Sequence, residues 1–261
     1  MRVRGLFVTG TDTGVGKTVV ACALAAWARR EGIDVGVMKP VATGGRWVSE
    51  RWVSDDAVRL VRAAGVDDGW RLVNPVCFQE PLAPWTAARR ARRPIRLAPI
   101  LEAFRRLIRR HELLIVEGVG GLLVPLTAQI TVADLARRLN LPLLLVSRPS
   151  LGTINHTVLS VQAACREGLT VRAILLNHAV RAPGDAMSRL AARTNPGVLR
   201  QLTHHPVLGP LPYEPLCGDG ATDSSDLGRW IEQHLGRVVL RRLLCSNSRD
   251  ISLFRSAQLE R

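Results

Sequence analysis

The chain has 261 residues, an apolar share of 47% that suits an ordinary globular protein, and a formal net charge of +14. Of its 36 cationic side chains only two are lysine, Lys17 and Lys39; the arginines fall in scattered runs such as ARRARRPIR and FRRLIRR, with few aromatics between them, so the charge reads as arginine replacing surface lysine and not as a nucleic-acid-reading face. Five widely spaced cysteines without a C-x-x-C pair speak against a disulfide framework or a zinc site and for a reducing cytoplasm, and no stretch approaches the ~18 apolar residues of a membrane span.

Short runs rich in Val, Ile and Leu alternate with longer amphipathic stretches, the pattern of parallel strands joined by crossover helices. Taken along the chain, the spacing predicts a strand at Val3 to Thr9, a helix at Lys17 to Glu31, a strand at Asp34 to Lys39 and a helix at Asp55 to Ala64. A helix at Ala98 to Arg110, a strand at Leu113 to Glu117, a helix at Thr131 to Leu139 and a strand at Leu141 to Ser147 follow. The series ends with a helix at Thr153 to Glu167, a strand at Val171 to Asn177, a helix at Asp185 to Arg193 and a strand at Val207 to Leu211. Several strands are apolar throughout, as expected when helices cover both sheet faces. One α/β domain over residues 1–237 is expected, with 238–261 as a loosely ordered tail.

In such a sheet, ligands bind beyond the carboxyl ends of the strands. The loops expected there carry the chemically notable residues. GTDTGVGKT, Gly10 to Thr18, sits between a strand and a helix, which is the context of a P-loop and predicts a P-loop NTPase-type fold. Backbone N–H groups and a helix N-terminus surround phosphate oxygens, Lys17 neutralises their charge, and the Thr18 hydroxyl suits Mg²⁺. Thr11 stands where G-x-x-x-x-G-K-T expects its first glycine.

Lys39 ends the second strand in VMKPVATGG, where a compact ammonium has been kept in a chain that otherwise uses arginine; a substrate or phosphate contact is expected. Glu117 ends LLIVE and runs into GVGG, which directs its carboxylate to the same rim as Lys17. Asp55 and Asp56 in VSDDAVRL start a helix, where one can cap and the other serve a metal. In SLGTINHTVLS, Gly152, Thr153 and Asn155 form a helix start suited to a carboxylate, with plain capping an equal reading.

The segments FVTGTDTGVGKT, KPVATGG, SDDAVRL, VNPVCFQEPLAPWTAA, LLIVEGVGGLLVPL, LGTINHTVLS, LLNHAV and VLGPLPY occur in order from about Val3 to Tyr213. As a set they closely resemble the dethiobiotin synthetase family. The resemblance implies a cytoplasmic homodimer acting on 7,8-diaminononanoate, CO₂ and ATP with Mg²⁺. It implies Lys17 and Lys39 as catalytic lysines, and an ATP site of Gly14, Val15, Gly16, Lys17, Thr18, Val19, Asp56, Glu117, Gly118, Val119, Gly120, Asn177, His178, Pro212, Tyr213 and Glu214. It further implies Thr18, Asp56 and Glu117 at the metal, with Asp55 competing for the place of Asp56. Thr13, Thr43, Gly152 and Asn155 are the implied substrate contacts, the last two reaching across the dimer.

The chain departs from the family in carrying Thr43 where a serine is usual and Trp85 where many relatives have histidine. Two rivals are a cobyrinate diamide synthase, whose glutamine-hydrolysing domain has no room here, and a DNA-partitioning ATPase. The second normally carries an extra lysine in its P-loop, and Asp12 and Thr13 fill that place.

Overall fold

The computed structural model describes residues 4–181, 186–214 and 224–245. Val3, Asp185, Cys217 and residues 246–261, to which the sequence reading extends, lie outside the described residues. Six strands form one sheet: β1 (Gly5–Gly10), β2 (Val35–Met38), β7 (Leu113–Gly121), β8 (Leu143–Ser147), β9 (Val171–Asn177) and β10 (Val207–Leu211), in the spatial order β10-β9-β8-β1-β7-β2. All five pairings are parallel. Every residue of β2, β8 and β9 is buried, which explains why these segments lack polar alternation.

The helices α1 (Lys17–Arg30), α2 (Asp55–Ala64), α5 (Leu97–Arg110), α6 (Val132–Leu139), α7 (Thr153–Arg166) and α8 (Ala186–Thr203) correspond to the six expected. Two apolar clusters lie on opposite faces of the sheet. One gathers Leu6, Leu24, Trp27, Leu60, Ile115 and Trp230, the other Phe7, Ile100, Leu114, Leu126, Leu143 and Leu145; Leu6/Phe7 and Leu114/Ile115 alternate between the faces as neighbouring strand residues must.

Several short elements were not legible in the sequence because they lack the length for a period. They are α3 (Trp70–Val73), α4 (Pro84–Arg90), the pair β3 (Val41–Ala42) with β6 (Val76–Cys77), and a hairpin of β4 (Arg46–Val48) and β5 (Arg51–Val53). The hairpin turns through Ser49 and Glu50, both at positive φ of 46° and 61°, the twist that two-residue hairpins favour even without the usual Asn-Gly.

Near the C-terminus, α9 (Ser224–Leu235) lies on α1: Trp27 Nε1 donates to Glu232 Oε2 at 3.2 Å, and a Cβ on Gly228 would meet the α1 backbone at 3.0 Å. Residues 238–245, read from the sequence as the beginning of a loose tail, belong to helix α10 (Arg237–Cys245), with Leu240, Leu243 and Leu244 buried. Arg237 and Arg241 both pair with Glu31, and Arg172 Nη1 donates to Leu243 O at 2.7 Å. The short amphipathic stripe is masked by its arginines, and its docking depends on α1 and β9, far away in sequence.

Candidate active site

Every loop singled out by the sequence opens at the carboxyl end of the sheet, because a parallel sheet sends all its strand ends the same way. The P-loop leaves β1 and enters α1 through Gly16, which takes a left-handed conformation at φ 89° as N-cap and has no side-chain cap. A Cβ there would come within 2.1 Å of Asn177 Nδ2, so the position admits only glycine. Lys17 is buried, and its Nζ donates to Asp12 O at 2.8 Å, folding the side chain back over the loop.

The acidic partners come from β7 and from the first turn of α2. Thr18 Oγ1 lies 2.8 Å from Glu117 Oε1 and 3.1 Å from Asp56 Oδ1, one hydroxyl proton facing two carboxylates. Lys39 Nζ lies 2.6 Å from Glu117 Oε1 and 2.8 Å from Asp56 Oδ2, and donates to Gly118 O at 3.3 Å. Lys39 and Thr18 therefore share one pair of carboxylates, which Lys17 feels only through space. Burial alone would lower the Lys39 pKa, but Glu117 and Asp56 outweigh it and raise it to about 12. For Lys17 burial dominates, with repulsion from Lys39 added, and its pKa falls to about 8. Burial pushes the Glu117 carboxyl up against the pull of Lys39; Asp56 is drawn down, because Lys39 and Thr18 together exceed its own burial effect.

The structure separates the two adjacent aspartates. Ser54, not an aspartate, caps α2, its hydroxyl accepting from Ala57 N at 3.2 Å. Asp55 points outward to Arg46 at 3.0 Å, and Asp56, one residue on, faces the site. A rotation of roughly 100° per helical residue is the reason. The expectation that one of the pair caps the helix is thus corrected.

Asn177 closes the other side of the loop. Its Nδ2 donates to Val15 O at 3.1 Å, while Oδ1 is buried without a partner among the described residues, and His178 N donates to Leu211 O at 3.0 Å. Pro212, Tyr213 and Glu214 follow β10 on the same rim, Tyr213 being exposed. Val119 and Gly120 are half-buried near the end of β7, and Val19 is half-buried on the first turn of α1. Thr13 is exposed, its carbonyl accepting from Arg148 Nη2 at 2.8 Å. Thr43 is half-buried in the loop after β3. Gly152 is the N-cap of α7 in a left-handed conformation with no side-chain cap, and Asn155 is exposed on the first turn.

Sequence reasoning missed a buried hydroxyl cluster that ties the P-loop to the start of α7. Ser147 Oγ lies 3.1 Å from Thr11 Oγ1, 2.8 Å from Thr153 Oγ1 and 3.0 Å from Thr157 Oγ1. The i, i+4 spacing of Thr153 and Thr157 was the available signal. It also missed Asn74, which is fully buried.

Thr18, Asp56 and Glu117 offer hydroxyl and carboxylate oxygens at one point, and Glu117 Oε2 is buried with no partner among the described residues. Hard oxygen donors of this number suit Mg²⁺, which completes its shell with water and phosphate. The unpaired Asn177 acceptor beside the P-loop likewise suits an amino group on a ligand.

A parallel sheet with this loop, this lysine and this threonine–carboxylate cluster defines a P-loop nucleotide-binding protein. The fold is similar to that of the septum site-determining protein MinD complexed with Mg-ADP from Pyrococcus horikoshii OT3, with a TM-score of 0.53 over 99% of this chain and 98% of that one, at 15% identity. Residues 4–221 match the family model described as "AAA domain". Among curated relatives, the ATP-dependent dethiobiotin synthetase BioD of Anaeromyxobacter dehalogenans (strain 2CP-C) is 49% identical over 213 residues, 82% of this chain and 92% of that one. That of Bacillus licheniformis is 40% identical over 210 residues, 80% and 86% of the two chains. The chain belongs to the ATP-dependent dethiobiotin synthetase family.

Proposed function

We propose that this chain carboxylates 7,8-diaminononanoate with CO₂, phosphorylates the carbamate with ATP and closes the ureido ring, releasing dethiobiotin, ADP and phosphate. The convergence of Lys39 and the P-loop Thr18 on Asp56 and Glu117, directly beside Lys17, is the observation that carries it. Addition of one amine to CO₂ gives a carbamate with loss of a proton. A carbamate oxygen then attacks the γ-phosphorus and ADP departs; the second amine attacks the carbonyl carbon, and phosphate leaves as the ring closes.

The residues of the chain serve these steps by position and charge. Lys17 lies in the loop that faces the phosphates, and Lys39, held protonated by two carboxylates, presents a fixed cation where charge spreads during transfer. Thr18, Asp56 and Glu117 would hold Mg²⁺, which supplies charge neutralisation at the phosphate oxygens. Asn177 Oδ1 is suited to accept from the adenine amino group, with His178, Pro212, Tyr213 and Glu214 around the base. Gly118, Val119 and Gly120 give a ligand close access to the backbone. Thr13 and Thr43 face the diamine, and in a homodimer Gly152 and Asn155 would offer a helix N-terminus to its carboxylate. No protein nucleophile is required. Ring closure is intramolecular once both amines are bound, which supplies much of the rate.

The test is ADP release measured with and without diaminononanoate and bicarbonate, with the product identified by mass. Release that depends on both supports the reading. Salt-dependent DNA affinity, with no ADP release in response to the diamine, would overturn it in favour of a partitioning ATPase.

A further inference from the structure

Asn74 lies between α3 and β6 with no exposed surface, and every polar group it has is used. Its Nδ2 donates to Lys39 O at 2.7 Å and to Val76 O at 3.3 Å, its Oδ1 accepts from Ser54 N at 3.0 Å, its N–H donates to Trp70 O at 2.9 Å, and its carbonyl accepts from Arg51 Nη2 at 3.0 Å. A buried amide is costly unless all its groups are paired, and an apolar side chain of similar volume would fill the same space without that demand. Two of the partners are the backbone of Lys39, at the end of β2, and the backbone of Ser54, the cap of the helix that carries Asp56. The adjoining chain strengthens the first tie, since Lys39 N donates to Val73 O at 2.7 Å.

We propose that Asn74 is a positioning residue for Lys39 and Asp56 together, its single amide locking the strand end that bears the lysine to the capped helix start that bears the aspartate. Asn74 holds the backbone at both places, and the two side chains then meet each other at 2.8 Å beside Glu117. The inference extends the ring-closing reading, because it gives the fixed cation of that reading a support.

The presence of only two lysines makes a direct test practical. Uniformly incorporated lysine labelled with ¹³C at Cε gives two signals, assigned with the Lys17→Arg variant and read without ATP or diamine. In Asn74→Ala the Lys39 signal should shift, and by more than the Lys17 signal does. The kcat for ADP release should fall about tenfold or more, as small misplacements of reacting groups do, with KM for ATP changed less than about twofold. Asn74→Asp has the same shape without the amide donors and carries the test if the alanine variant does not fold; its Lys39 signal should shift and its kcat fall as well. A folded variant that melts earlier yet keeps the wild-type Lys39 signal and kcat would overturn the proposal, reducing Asn74 to packing. Because the spectra need no turnover, an enzyme that fails to act on the diamine would sink the functional reading and leave this one to be decided by the lysine signals.

Discussion

Lys39 Nζ and Glu117 Oε1 stand 2.6 Å apart, both side chains almost wholly buried, Lys39 just past the end of β2 and Glu117 within the adjacent parallel strand β7. A buried ion pair of this kind is weak evidence for stability in itself, since desolvating two charges offsets much of their attraction. In the proposed reaction its value is positional: Glu117 and Asp56 keep Lys39 charged and held in one place.

Lys39→Arg keeps the charge but loses the shape. A planar guanidinium cannot enter a 3% exposed slot built for a point cation between two carboxylates. Turnover should fall by about a hundredfold or more, measured as ADP release with saturating diamine. Activity near the wild-type level would remove Lys39 from the chemistry.

The Lys17 pKa of about 8 gives a pH dependence with a definite sign. Phosphate attraction needs the ammonium form, which predominates below that value and is lost above it. ATP affinity should therefore weaken by about tenfold between pH 7 and pH 9, measured calorimetrically at fixed salt and Mg²⁺. Lys17→Ala should flatten this dependence and abolish hydrolysis. A wild-type profile that is level across the same range would contradict the role.

Removing one partner of the buried cluster should cost more the deeper the partner lies. Glu117→Gln leaves Lys39 with a single carboxylate, and its stability loss should be about 3–5 kcal/mol. Asp56, whose side chain is 39% exposed, should lose clearly less as Asp56→Asn. Chemical denaturation of the two variants gives the order, and the reverse order would contradict the burial argument.

A second titratable cluster lies at the far end of the sheet. His111 Nδ1 is 2.7 Å from Asp34 Oδ1 and its Nε2 is 2.9 Å from Asp68 Oδ2. Burial lowers its pKa, but the two aspartates outweigh that and raise it above 6.5. A raised folded value stabilises the fold below the unfolded pKa, and the contribution is lost as pH rises through the folded one. The wild type should thus gain more in Tm from pH 8 to pH 6 than His111→Gln does, with kcat at a common pH alike in both. Equal Tm shifts would show that the cluster is not linked to folding.

Apolar runs and turn residues were enough to place all six sheet strands and six of the helices, because each pattern is local: a buried parallel strand is apolar throughout, and a helix repeats over its own length. The P-loop and the oddity of two lysines were legible for the same reason. What the sequence could not resolve depended on partners far along the chain. Asp56 was separated from Asp55 only by the direction of α2 relative to β2 and β7. Asn74 looked like any loop amide until the fold laid it beside Lys39 and Ser54, and the arginine-rich end around Leu240 became a docked helix only against α1 and β9. Local sequence determines which element a segment forms; strand order and register decide which side chains from separate elements share one buried charge cluster.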